Sequence, residues 1–265
     1  FNASVRHVGM TVEPFQFTHR PFLLYLIIGL KNVLFDFVLL CLCYQRLEHH
    51  GVKYWYRRGK PSVTPLVVFH GITTGWSMYL LVIMKFGEGR PVFLMDLDAI
   101  KINSLVFNMP SCEDYSRGVM KILDKHNISH VSVVGHSFGS ITAAWFIKCY
   151  PDRVSHLTLL DPVSLLLSLP DVAYNFLYRK PQSLVQWVIY LFASQEITVS
   201  YALRRNFWWY KNLLWLEDVP AHIGVLVGLA GGDEVGNATA MKEYAEACHA
   251  KRQASGLDAA PISSV

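Results

Sequence analysis

Residues 135–139 have the sequence Gly-His-Ser-Phe-Gly, in which Ser137 is spaced as a nucleophile between two glycines. A β-branched run precedes this motif and an apolar stretch follows it, so the pattern predicts a strand, a sharp turn and a helix. Such a turn exposes the central side chain and tolerates only small residues two positions away, which Gly135 and Gly139 provide, with His136 completing the turn. Attack on a carbonyl carbon is the chemistry that this motif serves.

Two backbone amides are candidates for binding the negative oxygen formed in that attack. The helix predicted after Ser137 directs N–H groups, including that of Phe138, toward such an oxygen. A second N–H follows a short apolar run, where Gly71 lets the chain turn inward and places Ile72 beside Phe138. We interpret His70, at the same turn, as a structural residue rather than a catalytic one.

A catalytic serine also needs a base, and that base needs a carboxylate, in the chain order serine, acid, histidine. Asp233 follows the apolar run 223–230 in a loop with neighbouring glycines, and we expect it to be the acid. Capping of the helix that begins near Asn237 is the alternative role for Asp233. Asp161, one predicted strand earlier, is the second candidate acid, although a role in a turn is favoured for it.

The sequence offers no suitably placed histidine to serve as the base. His249 is the only histidine after Asp233, and it falls in a predicted helix before any further strand. The base normally follows a helix and then a strand that returns the chain to the carboxyl edge of the sheet. We therefore interpret His249 as a surface helix residue, and expect the base to lie beyond Val265 or to be missing.

The elements that must position these residues alternate between strands and helices, which predicts an α/β fold with a doubly wound, mostly parallel sheet. The apolar, aromatic interval 163–220 predicts a helical cap that forms an apolar pocket over Ser137. We expect 1–50 to be an apolar N-terminal extension, and 51–162 with 221–265 to be the core, truncated at its C-terminal end. Predicted strands are 52–57 as an edge strand, 65–69, 91–95, 131–134, 156–160 and 223–230; predicted helices are 75–86, 113–126 and 237–247.

The segment 21–44 is apolar and long enough to span a bilayer. Lys31 and Asp36 would lie near its centre, at a cost of about 2.5 to 3.5 kcal/mol each unless they pair or reach the interface. Membrane contact is one interpretation, and a helix or helical hairpin that buries its apolar face on the enzyme is the other. A signal peptide is disfavoured, because the apolar region is too long and is interrupted.

Composition limits the other possibilities. The chain has 265 residues, of which 52% are hydrophobic and 17% charged, with a mean hydropathy of +0.27. We therefore expect one domain that contacts lipid or a membrane. If it makes no such contact, we expect the protein to be intracellular. The net charge of +4 is spread along the chain, which argues against a nucleic-acid partner. The five cysteines lack metal-ligand spacing, so we expect reduced thiols, no metal and no cofactor.

Taken together, these motifs resemble the α/β-hydrolase superfamily, and more closely a eukaryotic group of AB-hydrolase-1 proteins that carry an apolar N-terminal extension. The likeness covers about residues 21–244. It implies that Ser137 is the nucleophile, Asp233 the acid, and the Ile72 and Phe138 amides the oxyanion hole. The matching pieces are 67–72 (Val-Val-Phe-His-Gly-Ile), 134–140 (Val-Gly-His-Ser-Phe-Gly-Ser), 159–163 (Leu-Leu-Asp-Pro-Val) and 232–234 (Gly-Asp-Glu).

The function expected from these residues is that of a serine hydrolase, similar to an esterase or lipase, that cleaves a small hydrophobic carboxylic ester through an acyl-enzyme. A binding protein on the same fold, without catalysis, is one alternative; its ligand would be a small apolar molecule or a membrane partner. An acyltransferase that passes the same acyl group to an alcohol is the other.

Overall fold

The computed structural model describes residues 9–254. Its centre is a seven-stranded sheet with the order β1-β2-β4-β3-β5-β6-β7. The pairs β1–β2 and β2–β4 are antiparallel and the other neighbours are parallel, which confirms the predicted doubly wound, mostly parallel sheet. The strands are β1 (Gln45–His49), β2 (Val52–Arg57), β3 (Leu66–Phe69), β4 (Val92–Met95), β5 (Val131–His136), β6 (Val154–Leu160) and β7 (Gly224–Gly228).

The sheet begins earlier than expected, because β1 lies inside the segment 1–50 that the sequence analysis assigns to the extension. The strand 52–57 is therefore not the edge strand; it pairs with both β1 and β4. A turn joins β1 to β2, in which His50 and Gly51 have φ angles of +48° and +73°. An edge strand buries little, so β1 carries mostly polar residues and lacks the apolar run by which strands are recognised.

Helices cover both faces of this sheet. Neighbouring residues of β3 point to opposite faces, so Val67 and Phe69 pack in one apolar cluster while Leu66 and Val68 pack in the other. All four are almost completely buried, as expected of a central parallel strand. The helices are α1 (Phe22–Cys41), α2 (Leu80–Phe86), α3 (Cys112–Lys125), α4 (Gly139–Cys149), α5 (Asp171–Ala173), α6 (Leu184–Ile189), α7 (Ile197–Arg205), α8 (Trp209–Asn212) and α9 (Ala238–Ala254).

The segment 163–220, predicted to be a helical cap, is described throughout and contains α5 to α8 but no strand. It is inserted between β6 and β7, at the edge of the sheet where parallel strands end. This position places the cap over the turn that follows β5.

Residues 9–20, here called the strap, cross the cap before α1 begins. The Arg205 guanidinium on α7 donates to the carbonyls of Met10 and Glu13, at 3.2 and 2.9 Å. The Thr18 N–H donates to the Gln195 carbonyl at 3.0 Å. The strap therefore ties the chain before α1 to the cap.

The segment 21–44 forms one helix, α1, and not a hairpin. This helix is long and apolar enough to cross a membrane, with a mean hydropathy of 2.1. Only 11% of its most apolar stretch of 18 residues is buried. The interpretation that it buries its apolar face on the enzyme is therefore wrong. Two side chains of α1, Ile28 and Leu39, are fully buried against the domain.

Candidate active site

Ser137 occupies the sharp turn that the sequence predicts, between the end of β5 at His136 and the start of α4 at Gly139. Its φ angle is +51°, a left-handed conformation that non-glycine residues adopt at a cost. Its N–H donates to the Leu160 carbonyl on β6 at 2.9 Å, which helps to hold this conformation. The turn therefore holds the serine in one strained orientation above the sheet.

The two glycines of the motif are required by close backbone contacts. A Cβ atom on Gly139 would lie 2.1 Å from the Phe69 carbonyl oxygen, and one on Gly135 would lie 2.6 Å from the Gly139 carbonyl oxygen. Gly71 is constrained in the same way, because its Cβ would lie 2.9 Å from the Cβ of Ser137. The ends of β3 and β5 are thus in direct contact, with no room for a side chain between them.

A cavity of about 430 Å³ lies over Ser137. The predicted site residues Ile72, His136, Phe138 and Asp233 line it together with the serine, whereas the two glycines of the motif pack behind it. The remaining wall is mostly apolar and comes largely from the cap, with Met10 contributed by the strap. Its larger apolar members include Met10, Leu167, Val172, Phe176, Leu177, Ile189, Leu203, Phe207 and Trp209.

The Ile72 and Phe138 amides are both available at this cavity. Among the described residues, neither N–H donates to a backbone carbonyl. Each residue follows a strand end, since Ile72 comes after β3 and Phe138 after β5, and these two strands are parallel neighbours. The two donors are therefore brought to the same edge of the sheet, beside Ser137.

Asp233 lies in the loop after β7, as predicted. Its Oδ1 accepts the Val235 N–H at 2.9 Å and its Oδ2 accepts the Gly236 N–H at 3.0 Å. The helix α9 is capped instead by Asn237, whose Oδ1 accepts the Ala240 N–H at 3.1 Å. Asp233 thus shapes its own loop while its carboxylate lines the cavity.

Asp161 also reaches the cavity, from the end of β6. It has a φ angle of +44°, and its Oδ1 accepts the Ala230 N–H at 2.6 Å. Its own N–H donates to the Gly228 carbonyl at 2.9 Å, so the residue joins the ends of β6 and β7. The turn role favoured for Asp161 by the sequence is present, and the structure brings both candidate acids to one cavity.

His136 is the only described histidine in the cavity wall, and its ring is held by a chain of hydrogen bonds. The Gly71 N–H donates to the Tyr79 hydroxyl at 2.7 Å, and that hydroxyl lies 2.9 Å from the Nδ1 of His136. Burial raises the pKa of Tyr79 far above its usual range, so the hydroxyl keeps its proton. Burial also lowers the pKa of His136, against the opposing charges of Asp161 and Asp233. The lowered pKa favours the neutral form of His136.

The other histidines considered in the sequence lie outside the cavity wall. His70 is buried; its Nδ1 contacts the Gly71 carbonyl at 2.7 Å and its Nε2 accepts the Leu97 N–H at 3.0 Å. Burial lowers the pKa of His70 to about 4, which fits the structural role expected of it. His249 lies within α9, the helix in which we expected it, and is half-buried.

Residues 64–217, more than half of the chain, match a family model described as the α/β-hydrolase fold. The chain belongs to the α/β-hydrolase fold family. The expected resemblance is thereby confirmed.

Curated relatives of this α/β-hydrolase chain include two proteins with different printed activities. It is 29% identical over 105 residues to 1-acylglycerol-3-phosphate O-acyltransferase ABHD5 of Rattus norvegicus, covering 38% of this chain and 30% of that protein. It is 32% identical over 93 residues to methylesterase 1 of Arabidopsis thaliana, covering 34% of this chain and 35% of that protein. The matched segment thus spans about a third of the length of these relatives.

Solved structures share the fold. A bacterial membrane phospholipase A matches with a TM-score of 0.57 at 15% identity, covering 91% of this chain and 85% of that one. The meta-cleavage product hydrolase of Pseudomonas fluorescens also matches with a TM-score of 0.57, at 14% identity, covering 76% of this chain and 85% of that one. At these identities the likeness establishes the fold alone.

Sequence reasoning missed the contacts through which the cap holds the loop of Asp233. Arg179 forms an ion pair of 3.2 Å with Glu234, and the Gln186 side chain donates to the same carboxylate at 2.9 Å. The Asn175 side chain donates to the Val235 carbonyl at 3.0 Å. These polar residues stand in a mostly apolar segment, which is the one signal that could have indicated polar partners.

Tyr79 is the other residue that sequence reasoning missed. It lies inside a predicted helix, at 5% exposure, and its hydroxyl joins the turn after β3 to the turn after β5. A buried tyrosine hydroxyl needs a hydrogen-bond partner, but the sequence does not say which one.

Proposed function

We propose that this α/β-hydrolase-fold protein is a serine hydrolase that cleaves a hydrophobic carboxylic ester through an acyl-enzyme. The observation that carries the proposal is the strained turn at Ser137, with a φ angle of +51°, opening on a largely apolar cavity. Strain of this kind persists only where the surrounding structure enforces it, and it is concentrated at functional sites.

In the proposed reaction, the Ser137 hydroxyl attacks the ester carbonyl and its proton passes to a base. The negative carbonyl oxygen is held by the Ile72 and Phe138 N–H groups, and each such donor contributes about 10² to 10³ in rate. The alcohol leaves with the proton from the base, and water then releases the acid from the serine. The apolar wall supplied by the cap holds the acyl group during both steps.

The base in this proposal is a histidine beyond Val265, one of the two possibilities expected from the sequence. His136 does not fit the role, because its Nδ1 is already engaged by the buried Tyr79 hydroxyl at 2.9 Å, which is itself bonded to the Gly71 N–H. His249 does not fit either, since it is not part of the cavity wall. Asp233 would orient the incoming histidine and stabilise its charged form, with Asp161 as the alternative acid.

The charges at the cavity favour a neutral ester as the substrate. Among the described residues that line it, Asp161 and Asp233 are the acids, and none is a lysine or an arginine. A phosphate group held inside would meet these carboxylates without a cation to offset its charge. An ester with an uncharged alcohol part fits the same cavity without that cost.

Acyl transfer is the second candidate, because several curated relatives are named as acyltransferases of 1-acylglycerol-3-phosphate. Such an enzyme would form the same acyl-Ser137 intermediate and exclude water in favour of an alcohol. The cavity lining weighs against an acceptor whose phosphate is bound inside it, so a neutral alcohol is the acceptor that this site supports. A non-catalytic binding protein is the third candidate, and it would need neither a base nor a reactive serine.

The deciding experiment is labelling of the natural protein with a fluorophosphonate probe, which reacts with activated serines. We expect labelling that is abolished in Ser137→Ala and retained in the control Ser129→Ala, a surface serine in the loop before β5. Failure of the natural protein to label would overturn the hydrolase and acyltransferase proposals and support the binding protein. Unlabelled natural protein, with its serine free, would then be supplied with a p-nitrophenyl acyl ester, with and without a neutral long-chain alcohol. Release of free acid supports hydrolysis, whereas formation of a new ester supports transfer.

A further inference from the structure

The helix α1 has two faces of opposite character. The residues turned toward the domain recur every three or four positions and include Ile28, Lys31, Asn32, Phe35 and Leu39. The outward residues are apolar and between 55 and 69% exposed: Leu23, Ile27, Leu30, Val33, Leu34 and Phe37. The inward face therefore carries the polar residues, which is the reverse of an ordinary surface helix.

The polar residues of α1 are satisfied by the domain itself. The Lys31 ammonium donates to the carbonyl and hydroxyl of Thr74, at 3.0 and 2.7 Å, and to the Ser77 hydroxyl at 3.0 Å. Asp36 forms an ion pair of 2.9 Å with Arg46 on β1. These are the two charges that would be costly inside a bilayer, and both are held on the side away from the apolar face.

A second helix continues the apolar surface. The 3-10 turn at residues 76–79, which leads into α2, packs against α1, as the Lys31 contact with Ser77 shows. On this turn and α2, Met78, Leu81 and Met84 are 68, 81 and 57% exposed. The exposed apolar surface thus extends from α1 across its neighbour in the fold.

We propose that the outward residues of α1, together with Met78, Leu81 and Met84, form a membrane-docking face on which the protein lies. The helix α1 rests in the plane of the bilayer interface, with its outward residues among the acyl chains. It does not span the membrane, because its inward face is bonded to the domain along its length. This proposal is independent of the chemistry at Ser137.

The chemistry of the face favours lipid over a protein partner. A protein interface carries about one hydrogen bond per 100 to 200 Å². The outward residues of α1 and the three residues next to them are Phe, Leu, Ile, Val and Met, which offer no hydrogen-bonding group beyond a thioether. The helix has 20 residues and is about 30 Å long, and an outward face of this length without such a group matches the acyl region of a lipid surface.

Flotation with phosphatidylcholine vesicles tests the docking face. The natural protein should float with the vesicles, and Leu34→Glu and Leu81→Glu should each lower the partition constant by at least about tenfold. The control Ala247→Glu adds the same charge to an exposed position of α9 and should bind like the natural protein. Because all three positions are exposed, circular dichroism should show folded proteins.

Three outcomes would overturn the proposal. If Leu34→Glu and Leu81→Glu bind vesicles as well as the natural protein does, this face does not contact lipid. Failure of the natural protein to float would do the same. A dimer in sedimentation that both substitutions dissociate would assign the face to a second copy of the chain. Ser137→Ala should float normally, so failure of the docking proposal can be distinguished from failure of the hydrolase proposal.

The orientation of α1 is tested with a membrane-impermeant maleimide and sealed vesicles. Val12, before α1, and Cys43, after it, are both exposed and lie beyond opposite ends of the helix. A helix in the plane of the interface predicts that Val12→Cys and the native Cys43 both react from outside. Protection of one of them until detergent is added would show a spanning helix and contradict the proposal.

Discussion

The end of the cavity at the proposed nucleophile Ser137 (the nucleophile end) and the end at the proposed acid Asp233 (the acid end) are built in different ways. At the nucleophile end, the turn around Ser137 is fixed by backbone atoms in contact, since a Cβ on Gly139 or Gly135 would overlap a carbonyl oxygen. At the acid end, Gly231 and Gly232 before Asp233 have nothing within 4 Å of an added Cβ. The acid loop is held by hydrogen bonds and an ion pair to the cap. One end is therefore fixed by excluded volume and the other by polar contacts that can be broken one at a time.

Among the substitutions that test this comparison, replacement of the proposed acid is expected to have the largest effect. If Asp233 orients the base, Asp233→Asn should lower the rate of ester hydrolysis by up to about 10⁴-fold. Asp161→Asn keeps an acceptor for the Ala230 N–H and should cost less than about tenfold. Steady-state kinetics of both variants, made in the natural protein, measures the difference. The opposite order would assign the acid to Asp161.

Substitution of the glycines compares the two ends directly. Gly139→Ala places a Cβ 2.1 Å from the Phe69 carbonyl oxygen, and we expect it to lower the free energy of unfolding by about 3 kcal/mol or more. Gly232→Ala meets no atom and should change it by less than about 0.5 kcal/mol. Urea unfolding of both variants measures these values. Equal losses would show that the acid loop is as tightly constrained as the turn.

A pH dependence of stability is expected from the nucleophile end. Burial lowers the pKa of His70 to about 4, below the value of about 6.5 in the unfolded chain. As the pH falls, the unfolded state therefore binds a proton at His70 before the folded state does. The stabilisation of the folded state by neutral His70 is complete above about pH 6.5 and is lost as the pH falls toward 4. Its full size is about 3 kcal/mol. Urea unfolding between pH 4 and 7 should show this slope, and it should be reduced in His70→Gln. A slope unchanged in that variant would contradict the assignment.

The smallest effect is expected where the cap holds the acid loop. The Arg179–Glu234 pair is partly exposed, so Arg179→Met should lower the free energy of unfolding by less than about 1 kcal/mol. The turnover number should fall as well, because the loop of Asp233 is less firmly positioned. Arg117→Met, which breaks an exposed pair with Asp114 on α3, is the control and should leave turnover unchanged. Equal turnover in both variants would show that the cap does not position the acid.

The sequence predicted the nucleophile end well because its constraints are local. Gly135, Ser137 and Gly139 lie within five residues, and the strand and helix around them carry clear apolar patterns. The acid end was less predictable, since Asp161 and Asp233 both follow strands and only the fold brings them to the same cavity. The two ends differ in how well the sequence predicts them because the residues of the nucleophile end are close in the sequence, whereas those of the acid end are far apart.

Other features could not be predicted for related reasons. The strand β1 has too few apolar residues to be recognised, because it pairs on only one side. Hydropathy identified α1 but not its orientation, which depends on Thr74 and Ser77 as partners of Lys31. The contacts of Tyr79 join three distant segments and leave no pattern in any one of them.

The strap has a consequence for how the chain folds. Met10, which lines the cavity, is held by Arg205 across 195 residues of sequence. Contacts of such high sequence separation close a long loop, and we expect them to form after the local contacts within the cap. The strap is synthesised before every strand of the sheet but can be placed only when α7 has formed. We therefore expect the cavity to be completed only when residues 9–20 dock onto a cap in which α7 has formed.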